Sequence, residues 1–142
     1  MNNAMVNNFV HIFCDMPIVG ESLKLFLNLA RQPANYYLST AELLAESKSA
    51  PAAVFVCILM GYNADELGLV TAIWKNHPAT PIVVVVASRA VREELQSGPF
   101  NVVAMLDTPC DPAELYLVIR EQLRGPGDTF RPATFLGNTV PH

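Results

Sequence analysis

Two cysteines and an aspartate stand where short apolar runs of the sequence end. Cys14 and Asp15 follow the run 9–13, and Cys57 lies near the end of the run 52–60. Thiols and carboxylates in such positions can act as nucleophiles, bind soft metal ions or form a redox pair. The first question is therefore whether these three side chains share one site.

The elements that would position them alternate along the chain. Apolar runs predict five strands, and the segments between and after them have helical periodicity and predict five helices. The strands are predicted at 9–13, 36–38, 52–60, 81–87 and 101–106. Strict alternation of this kind is typical of a parallel sheet with helices on both faces. With right-handed crossovers, the expected fold is a five-stranded doubly wound α/β sheet.

Three of the predicted helices begin with capping signals. Ser39 followed by Glu42 has the spacing of a capping box, and residues 63–66 read as a second capped start. Asp111 before Pro112 combines a cap residue with a proline at the first helical position. These signals fix where the connections between strands and helices should lie.

Composition limits the classes of function. The chain has 142 residues, 51% apolar and 15% charged, which suits one core-rich domain. Its formal charge of −4, with scattered Lys and Arg, provides no basic surface, so no direct nucleic-acid binding is expected. No apolar stretch reaches the roughly 20 residues of a membrane helix, and no secretory signal is visible. We expect a cytoplasmic chain with no membrane contact and reduced cysteines.

The order of the elements and several short motifs resemble the receiver domain of bacterial response regulators, the CheY-like fold of two-component systems. The resemblance covers roughly residues 7–124. It predicts a receiver-like domain at 1–124, and residues 125–142 are predicted to be a tail or the start of a linker. The strongest motif, Thr-Pro-Cys-Asp-Pro-Ala-Glu-Leu at 108–115, is similar to the family's Lys-Pro-Phe-Asp-Pro-Glu-Glu-Leu. Weaker matches lie at 14–17, 54–60 and 77–81. The resemblance implies the strand order 2-1-3-4-5.

The same resemblance identifies the positions of the phosphorylation site, and most of them hold other residue types. Cys57 stands at the position of the phospho-acceptor, Cys14 with Asp15 at that of the acid pair, and Thr108 at that of the lysine. Val86 stands at the hydroxyl position of strand four, and Met105 at the aromatic position of strand five. A thiolate does not replace the hard oxygen ligands that Mg²⁺ requires. Five departures together predict a degenerate pseudo-receiver that is not phosphorylated, is not an enzyme and uses no cofactor or metal.

The leading hypothesis is an atypical receiver that serves as a phosphorylation-independent interaction or dimerisation module in bacterial signal transduction or transcription control. The resemblance implies that the protein partner or second copy docks on the face of the fourth helix, fifth strand and fifth helix. Candidate residues of that face are Val91, Glu94, Leu95, Tyr116, Arg120 and Arg124. The alternative hypothesis is a redox- or metal-responsive switch that uses Cys14 and Cys57, because their predicted strands are neighbours.

Overall fold

The computed structural model describes residues 8–61 and 65–124. The predicted tail 125–142 and residues 63–64 of the predicted helix start lie outside them. The strands are β1 Val10–Cys14, β2 Ala34–Tyr37, β3 Val54–Leu59, β4 Ile82–Val86 and β5 Val102–Asp107. The helices are α1 Pro17–Leu29, α2 Thr40–Ser49, α3 Glu66–Asn76, α4 Arg89–Ser97 and α5 Pro112–Leu123.

The five strands form one sheet in the order β2-β1-β3-β4-β5, and every neighbouring pair is parallel. This confirms the predicted doubly wound fold and strand order. β3 lies at the centre, and all six of its residues are buried, as are all five residues of β1 and of β4. Strands covered by helices on both faces need no polar face, which explains why these runs do not alternate.

Successive residues of β3 and β4 enter two different core layers. The layer beneath α1 and α5, called the first layer here, contains Val54, Val56 and Ile58 of β3. The layer beneath α2, α3 and α4, called the second layer, contains Phe55, Cys57 and Leu59 of the same strand. The two-residue period of a strand therefore decides which helices a side chain meets.

The helix starts follow the capping signals. The Oγ atom of Ser39 accepts a hydrogen bond from the Glu42 amide at 3.1 Å, and a carboxylate oxygen of Asp65 accepts one from the Gly68 amide at 3.1 Å. Asp111 caps α5 through the Ala113 amide at 3.0 Å. Side-chain oxygens thus satisfy backbone donors that a helix cannot satisfy itself.

α1 ends two residues before the predicted position. Arg31 has a φ of 65°, in the left-handed region. Its amide donates to the Asn28 carbonyl, and the Gln32 amide donates to the Leu27 carbonyl. These two bonds form the Schellman arrangement, in which the left-handed residue is usually glycine.

A close approach joins α1 to the edge strand β2. The ring of Tyr36 lies against Gly20, and a Cβ atom at that glycine would be 2.1 Å from a ring carbon. The missing side chain therefore allows the helix to pack directly on the aromatic ring.

Candidate functional site

The carboxyl ends of β1, β3, β4 and β5 meet at one edge of the sheet, called the carboxyl edge here. In a doubly wound sheet, ligands bind outside this edge, where the strand order reverses between β1 and β3. All six positions of the predicted degenerate site lie on strands that reach this edge or on the loops that follow them. The orientation of their side chains determines what the site can do.

Cys57 is completely buried in the second layer. It pairs with Phe13 on one side and Val84 on the other. Burial raises the pKa of its thiol to about 12. The sulfur is therefore neutral at physiological pH and is a poor nucleophile and metal ligand.

Cys14 lies in the other layer. It follows Phe13, the partner of Cys57, and it pairs with Ile58, so its side chain enters the first layer. Burial and the neighbouring Asp15 raise the pKa of this thiol. Its sulfur accepts a hydrogen bond from the Met16 amide at 3.5 Å.

The expectation that Cys14 and Cys57 lie together is therefore corrected. Their strands are neighbours, but a one-residue difference in register sends the two thiols to opposite faces of the sheet. A disulfide between them would require the side chain of one to cross the sheet.

Asp15 is the one acid among the six predicted positions. Its Oδ1 atom is buried and finds no hydrogen-bond partner within the described part of the chain. Magnesium needs a near-octahedral set of oxygen ligands, and the other two side chains of this predicted set are buried thiols. Within residues 8–61 and 65–124, no group of three or more His, Cys, Asp or Glu could hold a metal ion. The residues present do not fit the magnesium site that the resemblance implies.

The remaining positions are apolar or uncharged. Val86 and Met105 are buried and belong to the second layer together with Cys57. Thr108 is half-buried at the start of the loop before α5, and its peptide bond to Pro109 is cis. On the second-layer side of the carboxyl edge, the side chains at these positions therefore belong to the hydrophobic core.

Two interactions of charged side chains near this edge were not predicted. Glu66 is buried at the start of α3, and its Oε2 atom accepts a hydrogen bond from the Gly61 amide at 2.7 Å. Arg92 of α4 forms an ion pair with Asp107, the last residue of β5. The sequence around Glu66 indicated only the start of a helix and gave no sign of the bond to Gly61. The ion pair could not be predicted because its two residues lie 15 positions apart and belong to no sequence motif.

The six residues predicted for the interaction face separate into three environments. Leu95 is buried in the second layer and cannot contribute to a surface, which corrects its assignment. Val91 is half-buried on α4, and Glu94 is exposed there. The other three, Tyr116, Arg120 and Arg124, line a groove with Arg31 and Gln32 at the end of α1.

Tyr116 anchors that groove against α1 and not beside α4. Its ring meets Phe26 of α1 edge-on, with 6.2 Å between the ring centroids. Arg120 donates a hydrogen bond to the Tyr116 hydroxyl at 2.9 Å and lies over its ring. The structure therefore does not bring the two halves of the predicted face together as one continuous patch.

No protein-family model matches the sequence, and no curated protein has a significantly similar sequence. Within the described part of the chain, no helix has the length and apolar character needed to cross a membrane.

Solved structures share the fold. The receiver domain of nitrogen regulatory protein C is 19% identical with a TM-score of 0.72, and the match covers 84% of this chain and 97% of that one. Chemotaxis protein CheY4 of Vibrio cholerae is 17% identical with a TM-score of 0.69, covering 81% and 98%. A sensor protein from Polaromonas sp. JS666 is 26% identical with a TM-score of 0.68, covering 82% and 95%. The chain therefore has the fold of CheY-like receiver domains.

Proposed function

We propose that this CheY-like chain is a regulatory interaction module of bacterial two-component signalling that works in the cytosol without aspartyl phosphorylation. The observation that carries the proposal is the position of Cys57, a neutral and fully buried thiol where the resemblance places the phospho-acceptor carboxylate. A group that is neither charged nor accessible does not take up a phosphoryl group from a donor in solution.

The surroundings of Cys57 support the same proposal. Phosphoryl transfer depends on metal ions and cationic side chains that neutralise the developing charge. Here Thr108 stands at the lysine position, and one carboxylate, Asp15, remains at the position of the acid pair. Val86 has no hydroxyl that could follow a phosphoryl group. Loss of the whole set favours a role in binding, where the surface of the fold carries the function.

The partner is a protein, either a second copy of the chain or another signalling component. We assign its contact to the α4 side of the fold, where Val91 and Glu94 offer a half-buried apolar side chain beside an exposed charge. Small mixed patches of this kind suit specific, moderately polar interfaces. The groove lined by Tyr116, Arg120 and Arg124 beside α1 is a separate surface.

The alternative of a redox or metal switch receives no support from the thiol geometry. Cys14 and Cys57 occupy different core layers, and burial raises the pKa of both. Regulatory thiols are ordinarily exposed and have a lowered pKa.

The proposal is tested with acetyl phosphate and with beryllofluoride, each in the presence of Mg²⁺. The amide NMR spectrum of the chain should be the same before and after addition, and the intact mass should not gain a phosphoryl group. A phosphorylatable receiver domain treated in parallel provides the positive control. A magnesium-dependent change in the amides of β3 and β4, or a phosphoryl adduct, would overturn the proposal.

A further inference from the structure

A pocket with a volume of about 320 Å³ opens at the carboxyl edge of the sheet, on the side of the first layer. Its floor includes Ile58 of β3 and Val85 of β4, both almost completely buried. Its walls are the start of α1, with Ser22, and the loop that begins at Thr108. The pocket therefore lies next to the place where the strand order reverses, the usual ligand position in this class of fold.

The lining of the pocket is mainly apolar and carries no charge among the described residues. Among residues 8–61 and 65–124, twelve line the pocket; nine of them are apolar and none has a formal charge. The three polar groups are the hydroxyls of Ser22 and Thr108 and the thiol of Cys110. Burial and the nearby Glu114 and Asp111 raise the pKa of that thiol to about 11, so it is uncharged at neutral pH. A lining with no charge would leave the charge of any ionic ligand unpaired.

We propose that this pocket binds a small, uncharged, mainly apolar molecule that carries one hydrogen-bonding group. Apolar cavities of about 150 Å³ accommodate a benzene molecule, and the volume here is roughly twice as large. The matching ligand is thus a bicyclic ring system, or an aliphatic molecule of similar size. Its apolar body covers Ile58 and Val85, while its polar group reaches a hydroxyl of the wall.

This inference goes beyond the proposed interaction role and does not depend on it. A ligand here would contact α1, the ends of β3 and β4, and the loop before α5 together. Because it binds only where these elements are assembled, it would stabilise the folded chain. The pocket lies in the first layer and is separate from Cys57 and Val86 in the second.

Cys110 provides a direct readout of occupancy. It lines the pocket and is partly exposed, whereas Cys14 and Cys57 are fully buried. A maleimide reagent at pH 8.5 should therefore label Cys110 first, which peptide mass spectrometry can verify. The probe is 2-naphthol, an uncharged bicyclic alcohol. Saturating probe should slow the labelling of Cys110 at least fivefold, whereas naphthalene-2-sulfonate, with the same ring and a negative charge, should not slow it.

A pair of α1 variants locates the site. Ser22→Phe, at an exposed position that lines the pocket, places a ring in the cavity and should abolish binding of 2-naphthol in calorimetry. Asn28→Phe adds the same ring at an exposed position of α1 that does not line the pocket, and it should retain binding with one molecule per chain.

Three results would overturn the proposal. They are no protection of Cys110 up to the solubility limit of 2-naphthol, equal protection by the sulfonate, and unchanged binding by a folded Ser22→Phe variant. Protection in the unmodified chain decides the question if Ser22→Phe does not fold. Failure to bind the probe together with protection of Cys110 by a partner protein would assign the pocket to a protein contact and would equally overturn the proposal.

Discussion

At the scale of single residues, His11 is the least expected group in the core. It lies in β1, is completely buried, and its ring is surrounded by Phe9, Tyr37 and Phe55. Its Nδ1 atom is 2.8 Å from Ser47 Oγ, which itself donates to the Leu43 carbonyl. Since the serine proton is committed to that carbonyl, the histidine donates from Nδ1. Its Nε2 atom is buried without a hydrogen-bond partner among the described residues.

Protonation of His11 should destabilise the fold. Burial and the neighbouring His77 lower its pKa from 6.5 to about 4. Between these two values the unfolded chain binds the proton and the folded chain does not, so stability falls as the pH falls. The free energy of unfolding should therefore decrease by about 3 kcal/mol between pH 7 and pH 4 on account of this residue.

Urea unfolding of matched variants at a series of pH values checks this expectation. His11→Phe should lose most of the acid-dependent decrease, because phenylalanine cannot be protonated. His77→Gln is the control and should retain most of it. An equal acid-dependent decrease in the free energy of unfolding of the unmodified chain and both variants would show that other groups cause the acid sensitivity.

Cys57→Asp should restore the chemical type of a phospho-acceptor without restoring phosphorylation. Thr108 and Val86 would remain, and the second acid would still be absent. The new carboxylate would be buried in an apolar layer without a partner, at a cost of about 3–5 kcal/mol in the free energy of unfolding.

Cys57→Asn separates the effect of charge from the effect of polarity in that experiment. It has a similar size and no charge, so it should cost about 1–3 kcal/mol. The difference between the two variants should shrink as the pH falls towards 4, because protonation removes the buried charge from the aspartate. A phosphoryl adduct on the Asp variant, measured by intact mass, would contradict the proposal of a degenerate site.

At the scale of elements, the end of α1 holds a residue in a conformation that suits glycine better. Arg31 has a positive φ, which costs an L-residue roughly 1 kcal/mol. Arg31→Gly should therefore raise the free energy of unfolding by about 0.5–1 kcal/mol, measured from the urea midpoint at constant m-value. Arg31→Ala keeps the strain and should give no gain. An equal gain from both variants would point to the loss of the arginine charge as the cause.

The elements are also where prediction from sequence succeeds best. β3 and β4 are apolar without alternation, so burial on both faces could be inferred from composition alone. Ser39 and Asp111 marked helix starts through their own side chains. The orientation of Cys14 and Cys57 could not be predicted in the same way. In a strand with both faces buried, the apolar pattern is compatible with either register, and one residue changes the layer.

Residues that depend on contacts between distant elements were equally hard to predict. Tyr116 was assigned to the α4 side, but its contact with Phe26 places it towards α1. The pocket at the carboxyl edge combines α1, two strand ends and a loop, and no local pattern in the sequence joins them. Leu95 was assigned to the exposed side of α4, but it packs in the second layer.

At the scale of the whole molecule, we expect association to depend on the α4 side of the fold. The chain should be a dimer in solution by multi-angle light scattering, with Glu94 at the contact. Glu94→Arg reverses an exposed charge there and should shift the mass to that of the monomer, since reversing a charge at a contact removes its electrostatic complementarity. Arg120→Glu makes the opposite reversal in the groove beside α1 and should leave the mass unchanged.

The reverse outcome, dissociation by Arg120→Glu alone, would move the contact to the groove that contains Tyr116. If the unmodified chain and both variants are monomers, the chain does not associate with itself. The partner in the proposed function would then be a different protein.

The central position of β3 has a consequence for how this molecule opens. Its six residues are buried, and it is paired with β1 on one side and β4 on the other. Fraying at the edge strand β2 leaves these amides bonded, so their hydrogens should exchange with deuterium only when the whole sheet separates. The slowest-exchanging amides of β3 would then report the global free energy of unfolding. A molecule bound at the carboxyl edge would slow their exchange by the factor 1 + [L]/Kd, where [L] is its free concentration.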